Sequence, residues 1–196
     1  MTADAKAARR PRKGTAEKLV RAAGSEFNEH GFTGTDTNRI ARRAGFAPQT
    51  FYRWFRDKTD IFIKVYERWQ HEEASMLQRL LAKDASDARL VQAVVTHHRR
   101  FRIFRRSLRQ LSIEDDVVRK ARADSRLQQI AQIRTWNPAQ PDSTPALAVT
   151  LFKMERLADA LAEREFDDMG VDHKAGETEL ASLIHGLRSS RRTADR

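Results

Sequence analysis

The sequence predicts an all-α protein in two parts, a small N-terminal head and a larger helical C-terminal body. Three observations lead there: apolar residues recur at three- and four-residue spacing through most of the chain, no run alternates with period two over strand length, and no Asn-Gly or Asp-Gly pair marks a hairpin. The 196 residues, 40% apolar and 33% charged, match one large domain or two small ones and can bury a core. Lys and Arg number 37 against 27 Asp and Glu, a net charge of +10 that favours nucleic acid or another anionic surface as partner. Zero cysteines exclude a disulfide framework, a Cys-ligated zinc site and a thiol nucleophile. With no signal-peptide stretch at the N-terminus and no run near the roughly 18 apolar residues of a membrane span, a cytoplasmic protein without membrane contact is expected.

Each element follows from local signals. Residues 1–12 read as a basic flexible arm bearing Arg9, Arg10 and Arg12, with Lys13 at its end. Thr15 can cap a helix to about 30, where Leu19, Ala22, Ala23 and Phe27 share one side and Gly31 ends it. A short helix at 35–44 precedes Gly45, placed for a left-handed C-cap, and Pro48 starts another running to about Arg56. Asp57 and Asp60 resemble a cap for a long helix striped by Phe62, Val65, Tyr66, Trp69, Glu73, Met76 and Leu80. Ser86 opens a helix carrying Leu90, Val94, Phe101 and Leu108, and Asp116 opens one through Leu127, Ile130 and Ile133. Residues 137–145 hold three of the five prolines and form a linker. Two final helices carry Leu147, Leu151, Met154, Leu157, Ala158 and Leu161, then Leu180, Leu183, Ile184 and Leu187.

The helix pair within 36–55 has the size and punctuation of a helix-turn-helix. At about 100° per residue, Phe51 and Phe55 share the inner face of its second helix, while Gln49, Thr50 and Arg53 cluster outward between Tyr52 and Trp54. Amide, hydroxyl and guanidinium groups so displayed can bond base edges in a major groove, and Trp54 can pack on a thymine methyl. Thr35, Thr37, Asn38, Arg42, Arg43, Tyr52 and Lys58, with Arg9, Arg10, Arg12 and Lys13 of the arm, are candidates for phosphate contact. Charge agrees, since residues 1–60 hold 13 basic and 7 acidic side chains.

Leu19, Ala23, Phe27, Gly31 and Phe32, then Thr35, Ile40-Ala41, Ala44-Gly45-Phe46, Thr50-Phe51-Tyr52, Phe55 and Lys58, resemble the TetR family of bacterial transcription regulators. The resemblance covers 13–73. It implies a helix-turn-helix DNA-binding domain there, an effector-binding and dimerisation domain over 74–190, and a tail at 191–196. It further implies a homodimer whose third helices enter the major grooves of a partly palindromic operator. Thr50, Tyr52 and Lys58 inherit contact roles, whereas Gln49, Arg53 and Trp54 sit where residues vary with the operator. Two positions depart from the pattern: Ala47 replaces a small polar N-cap, and Glu26 stands where the first helix is often apolar.

In the body, Leu147, Leu151, Leu157, Leu161, Leu180, Leu183, Ile184 and Leu187 are expected to pair with a second copy as a four-helix interface, the alternative being that they complete the monomer's own core. Arg99, Arg100, Arg102, Arg105, Arg106 and Arg109 occur with no acid among them and circle the helix. The plainer reading is that they are solvated or pair with Glu114, Asp115 and Asp116. The sharper one is a pocket for an anionic ligand, a carboxylate or acyl-CoA, lined by Val94, His98, Phe101, Arg102, Phe104, Arg105, Leu151 and Met154. His71-Glu72-Glu73 lacks the second His of a zinc protease helix, His97 and His98 diverge, and no nucleophile elbow or phosphate-cradling glycine loop occurs. Gly31-Phe32-Thr33-Gly34 has the Gly-x-x-Gly spacing of KH domains without their strands. The expectation is no enzyme, no cofactor and no metal, but a double-stranded-DNA-binding regulator, a repressor released by an unknown small molecule and nucleoid-associated when bound. The alternative is a nonspecific nucleoid-type or helical RNA-binding protein.

Overall fold

The structure, a computed structural model, describes residues 14–189; Arg9, Arg10, Arg12, Lys13 and the tail at 191–196 lie outside them. The described residues form helices α1 (Thr15–His30), α2 (Thr37–Arg43), α3 (Pro48–Phe51), α4 (Lys58–Leu81), α5 (Asp87–Arg100), α6 (Arg102–Glu114), α7 (Asp116–Trp136), α8 (Thr144–Glu163), α9 (Glu165–Asp168) and α10 (Lys174–Arg188), with no strand among them. Side-chain caps start most of the long ones. Asp36, Asp57, Ser86, Asp115 and Ser143 each accept a backbone N–H from the first turn they precede. Ala47 supplies no such bond to α3, where Pro48 occupies the first turn with its φ already helical.

The head closes on aromatic rings. Leu19, Ala23 and Phe27 of α1, Ile40 of α2, Phe51 of α3 and Phe62 of α4 are fully buried together. Phe62 meets Phe27 edge-on at 5.0 Å and Phe32 at 5.2 Å between centroids. Its third neighbour, at 4.9 Å, is Phe104 of α6. Phe104, Leu108, Leu111 and Val118 all join the head's cluster, so α6 and the start of α7 seal a core that the first four helices leave open. With each buried large apolar side chain stabilising by roughly 1.5–3 kcal/mol, this plug binds head to body firmly. Hydrogen bonds add to it: Asn28 Nδ2 donates to the Arg100 carbonyl at 2.7 Å, and the Phe32 N–H donates to Ser107 Oγ at 3.0 Å. The predicted division between 73 and 74 falls inside α4, which is continuous from head to body.

Three sequence expectations change. The helix expected to reach Arg56 ends at Phe51, where a tighter i, i+3 bond from the Trp54 N–H to the Phe51 carbonyl turns the chain and brings Phe55 into the core. The single helix expected from Ser86 through Leu108 is two, broken at Phe101 (φ −113°, ψ 24°). Three- and four-residue spacing runs straight through the break, so periodicity does not register it. Its effect is to point His98 toward α8 and Phe104 toward the head. The third change concerns the expected interface. Leu161, Leu180 and Ile184 are buried against Leu90, Val91, Val94 and Val95 of α5, and Leu147 against Ile130 and Ile133 of α7. Leu157 packs on the first of these clusters and Leu151 and Leu187 on the second, while Leu183 is half-buried on the flank of α10. The strongest apolar stripes thus complete the monomer, because α5 and α7 reach them first.

Candidate functional site

The outer face of α3 and the turn after it displays Gln49, Tyr52 and Arg53 to solvent, with Thr50 half-buried beside them. Tyr52 is 60% exposed, and its hydroxyl lies 3.0 Å from Thr37 Oγ1 at the start of α2. That bond ties the two helices across their outer edge and leaves both hydroxyls capacity for an anionic oxygen. Asn38 and Arg42 are exposed on α2. Trp54 is half-buried and packs on the head core, which leaves its ring only partly available.

Two proposed phosphate contacts are turned inward. Thr35 is buried, its hydroxyl donating to the Glu26 carbonyl at 3.2 Å. Lys58 Nζ donates to the Phe32 carbonyl at 2.8 Å and the Thr35 carbonyl at 2.9 Å and lies 4.1 Å from the Phe32 ring centroid. Burial pushes the Lys58 ammonium below its ordinary range, with Asp36 partly opposing. It staples the loop before α2. Arg43 is also engaged: it donates to Glu26 Oε1 at 3.0 Å and to Glu29, whose carboxyl is held down chiefly by that hydrogen bond. Glu26, unusual in sequence, is the buried acceptor joining α1 to Arg39 and Arg43 of α2.

The body holds a cavity of about 130 Å³ between α4, α5, α6, α7 and α8. Val94, His98, Arg105, Leu151 and Met154 line it, as expected from sequence, but Phe101, Arg102 and Phe104 do not: Arg102 is exposed, and the two rings belong to the head side. Trp69 and Glu73 of α4, Arg126 and Trp136 of α7, and Glu155 of α8 complete the wall. An apolar chamber of about 400 Å³ adjoins it, sharing Leu77, Val94, Ile133, Trp136, Met154 and Leu187.

An ion network forms the polar end. Arg105 is fully buried, donating to Asp159 Oδ1 and Oδ2 at 3.1 and 3.0 Å and to Glu155 Oε1 at 2.7 Å. Glu155 also accepts from Arg122 and from Arg126 at 2.7 Å, and Arg109 joins Asp159 to Glu163. Burial pushes the Glu155 carboxyl up, but Arg105, Arg122 and Arg126 outweigh it and hold the group down to about 2. His98 lies between two carboxylates, Nδ1 at 2.8 Å from Asp159 and Nε2 at 3.2 Å from Glu73. Burial and Arg105 push its pKa down; the bonds to Asp159 and Glu73 prevail, so it is raised.

The arginine cluster therefore divides. Arg99, Arg100 and Arg102 face solvent, whereas Arg105, Arg109 and the more exposed Arg106 pair with α8 rather than with Glu114, Asp115 or Asp116. Glu155, Asp159 and Glu163 recur at i, i+4, i+8 along α8, a spacing that suits Arg105 and Arg109 at i, i+4, but nothing in the sequence tells that these two helices meet.

These features define a class: an all-α helix-turn-helix protein whose head is joined by one continuous helix to a body containing a cavity. Residues 19–65 match the family model of the bacterial regulatory proteins, tetR family. An HTH-type transcriptional regulator of Bacillus subtilis, YdgC, is 28% identical over 68 residues, a span of 35% of this chain and 35% of that protein. The fold matches a protein of Rhodococcus sp. assigned to the TetR-family transcriptional regulators, with a TM-score of 0.71 and 13% identity over 91% of this chain and 100% of the other. It also matches FadR of Thermus thermophilus, a TetR-family transcriptional repressor solved with lauroyl-CoA, at a TM-score of 0.59 and 17% identity over 92% and 97%. Residues 19–65 thus match the DNA-binding head of the tetR family of bacterial regulatory proteins, and the chain as a whole shares the fold of these solved structures.

Proposed function

We propose that this chain is a homodimeric, sequence-specific repressor of transcription, released from double-stranded operator DNA when a small molecule occupies the body cavity. The observation that carries this is the pairing of an exposed Gln49, Tyr52 and Arg53 face, with Thr50 half-buried beside it, with a cavity built on the same helix, α4, that fixes the head. Base-reading groups are thus mechanically joined to a ligand site. The Thermus relative, a repressor that holds lauroyl-CoA, supports both halves of the reading.

Tyr52, Thr37, Asn38 and Arg42 would anchor phosphates, with Arg9, Arg10, Arg12 and Lys13 as further candidates, and Gln49 and Arg53 would read bases. A two-fold operator needs two heads at fixed spacing. The dimer surface we assign is the outward face of α8 and α10, where Val149 and Phe152 are each 53% exposed and Ala175, Thr178 and Ser182 are small and exposed. Glu73 and Trp69 sit on α4, and Arg105 follows Phe104 on α6. A ligand that rearranges the network therefore acts on both helices that hold the head, and its effect equals its differential affinity for the two head spacings.

Selection of bound fragments from genomic DNA at several salt concentrations tests this. A few strongly preferred, partly palindromic sites are expected, and Arg53→Ala should cost about 1–3 kcal/mol at those sites while leaving nonspecific binding nearly unchanged. Uniform binding across fragments, lost equally with salt, would identify a nonspecific binder instead.

A further inference from the structure

The polar end of the cavity carries more positive charge and more donors than its own acids satisfy. Arg105, Arg109, Arg122, Arg126 and His98 stand against Glu73, Glu155, Asp159 and Glu163. Carboxylates only accept hydrogen bonds, so His98, flanked by one at each ring nitrogen, donates from both and is an imidazolium. At least one cation is then left over, since the exposed Arg106 also reaches Glu163. Moreover, the buried side-chain polar atoms without a hydrogen bond among the described residues are all nitrogens, among them Trp69 Nε1 and Arg126 Nε, which belong to two residues that line the cavity. Trp69 is only 3% exposed, and an indole N–H or a guanidinium N–H can do nothing but donate. Beyond this end, the cavity walls turn apolar through Leu77, Ile133, Trp136 and Leu187 toward the larger chamber.

Resting on the regulator reading above, we infer that the effector is a free monocarboxylate with an apolar chain, its carboxylate seated at Trp69 and Arg126 and its chain in the Leu77–Trp136–Leu187 chamber. An entering anion balances the cluster and gives both stranded donors an acceptor, interactions that exceed neutral hydrogen bonds in strength. A cation of the same shape meets three neighbouring positive groups, Arg105, Arg126 and His98. A thioester of the same acid offers a neutral group at this end and fails to balance the charge.

Calorimetric titration of the full chain, without DNA, uses decanoate, decan-1-ol, decylammonium and decanoyl-coenzyme A as probes. Decanoate is expected to bind saturably, at least about tenfold more tightly than the other three, the scale of one charge-assisted hydrogen bond. Arg126→Gln should remove most of that advantage while changing decan-1-ol affinity less than about twofold. Trp69→Phe keeps an aromatic ring, though a smaller one, and removes the N–H, and should weaken decanoate severalfold with the fold intact by circular dichroism. Tighter binding of decylammonium or decanoyl-coenzyme A, equal losses for decanoate and decanol in both variants, or no binding of decanoate overturns the assignment. Because DNA is absent, such a failure leaves the genomic selection to judge the regulator reading independently.

Discussion

Gly34 shows how far a single residue constrains the head. A Cβ built there would lie 2.3 Å from the His30 carbonyl oxygen, a backbone atom with no freedom to retreat. Gly34→Ala is expected to destabilise the protein by about 1–3 kcal/mol, as overpacking does, and chemical denaturation followed by circular dichroism measures it. An unchanged midpoint would show that the loop between α1 and α2 has another conformation available. Residue type was a poor guide to role at Lys58, because an ammonium at the exposed start of a helix looks like a phosphate anchor until its partners are known. Bonded to two loop carbonyls, it acts as a staple. Lys58→Met should therefore lower the melting temperature, with the slope of DNA affinity against salt unchanged; a slope flattened by about one unit would restore a direct phosphate contact.

Between elements, the body is held by charges that no local pattern pairs. Arg105→Met would leave Asp159 and Glu155 buried beside fewer partners, and should cost about 3–5 kcal/mol in unfolding free energy. A loss below about 1 kcal/mol would mean that Arg109, Arg122 and Arg126 alone compensate the acids.

The His98 link between α4, α5 and α8 gives stability a pH dependence with a definite sign. Its pKa is raised in the folded state, so its contribution is complete below the unfolded value of about 6.5 and is lost as pH rises through the folded value. The neighbouring His97, lowered by burial, acts in the opposite sense, and Arg105, Glu73 and Asp159 keep their charges through neutral pH. The comparison is therefore wild type against His98→Gln: their difference in melting temperature should be largest near pH 6 and shrink toward pH 9. A constant difference would sink the idea. Neither the α5–α6 break nor this network was visible in the periodicity, because an interrupted helix keeps its three- and four-residue spacing and a charge pair needs the partner helix to be placed.

For the whole molecule, assembly follows from which faces the monomer leaves over. Inward leucines of α8 and α10 are already covered, so Phe152→Glu on the outward face should convert a dimer to a monomer in sedimentation and weaken operator binding by more than about tenfold. Leu183→Ala should do neither. A monomeric wild type would remove the two-fold reading mode altogether. The expected interface erred in a physically instructive way. Hydrophobic stripes mark burial but do not say against what, and in a chain this size a helix finds intramolecular partners at far higher effective concentration than a second copy.

What the sequence determined by itself was the all-helical class, the helix-turn-helix and its outward Gln49, Thr50, Tyr52 and Arg53, because these rest on caps, turns and periodicity, all interactions within a few residues. What only the tertiary structure decided was the inward turn of Thr35 and Lys58, the pairing of Arg43 with Glu26 and Glu29, the sealing of the head by α6, and the donor-rich end of the cavity. Those depend on groups 9 to more than 70 positions apart meeting in space, and no short-range signal encodes which acid an arginine will find.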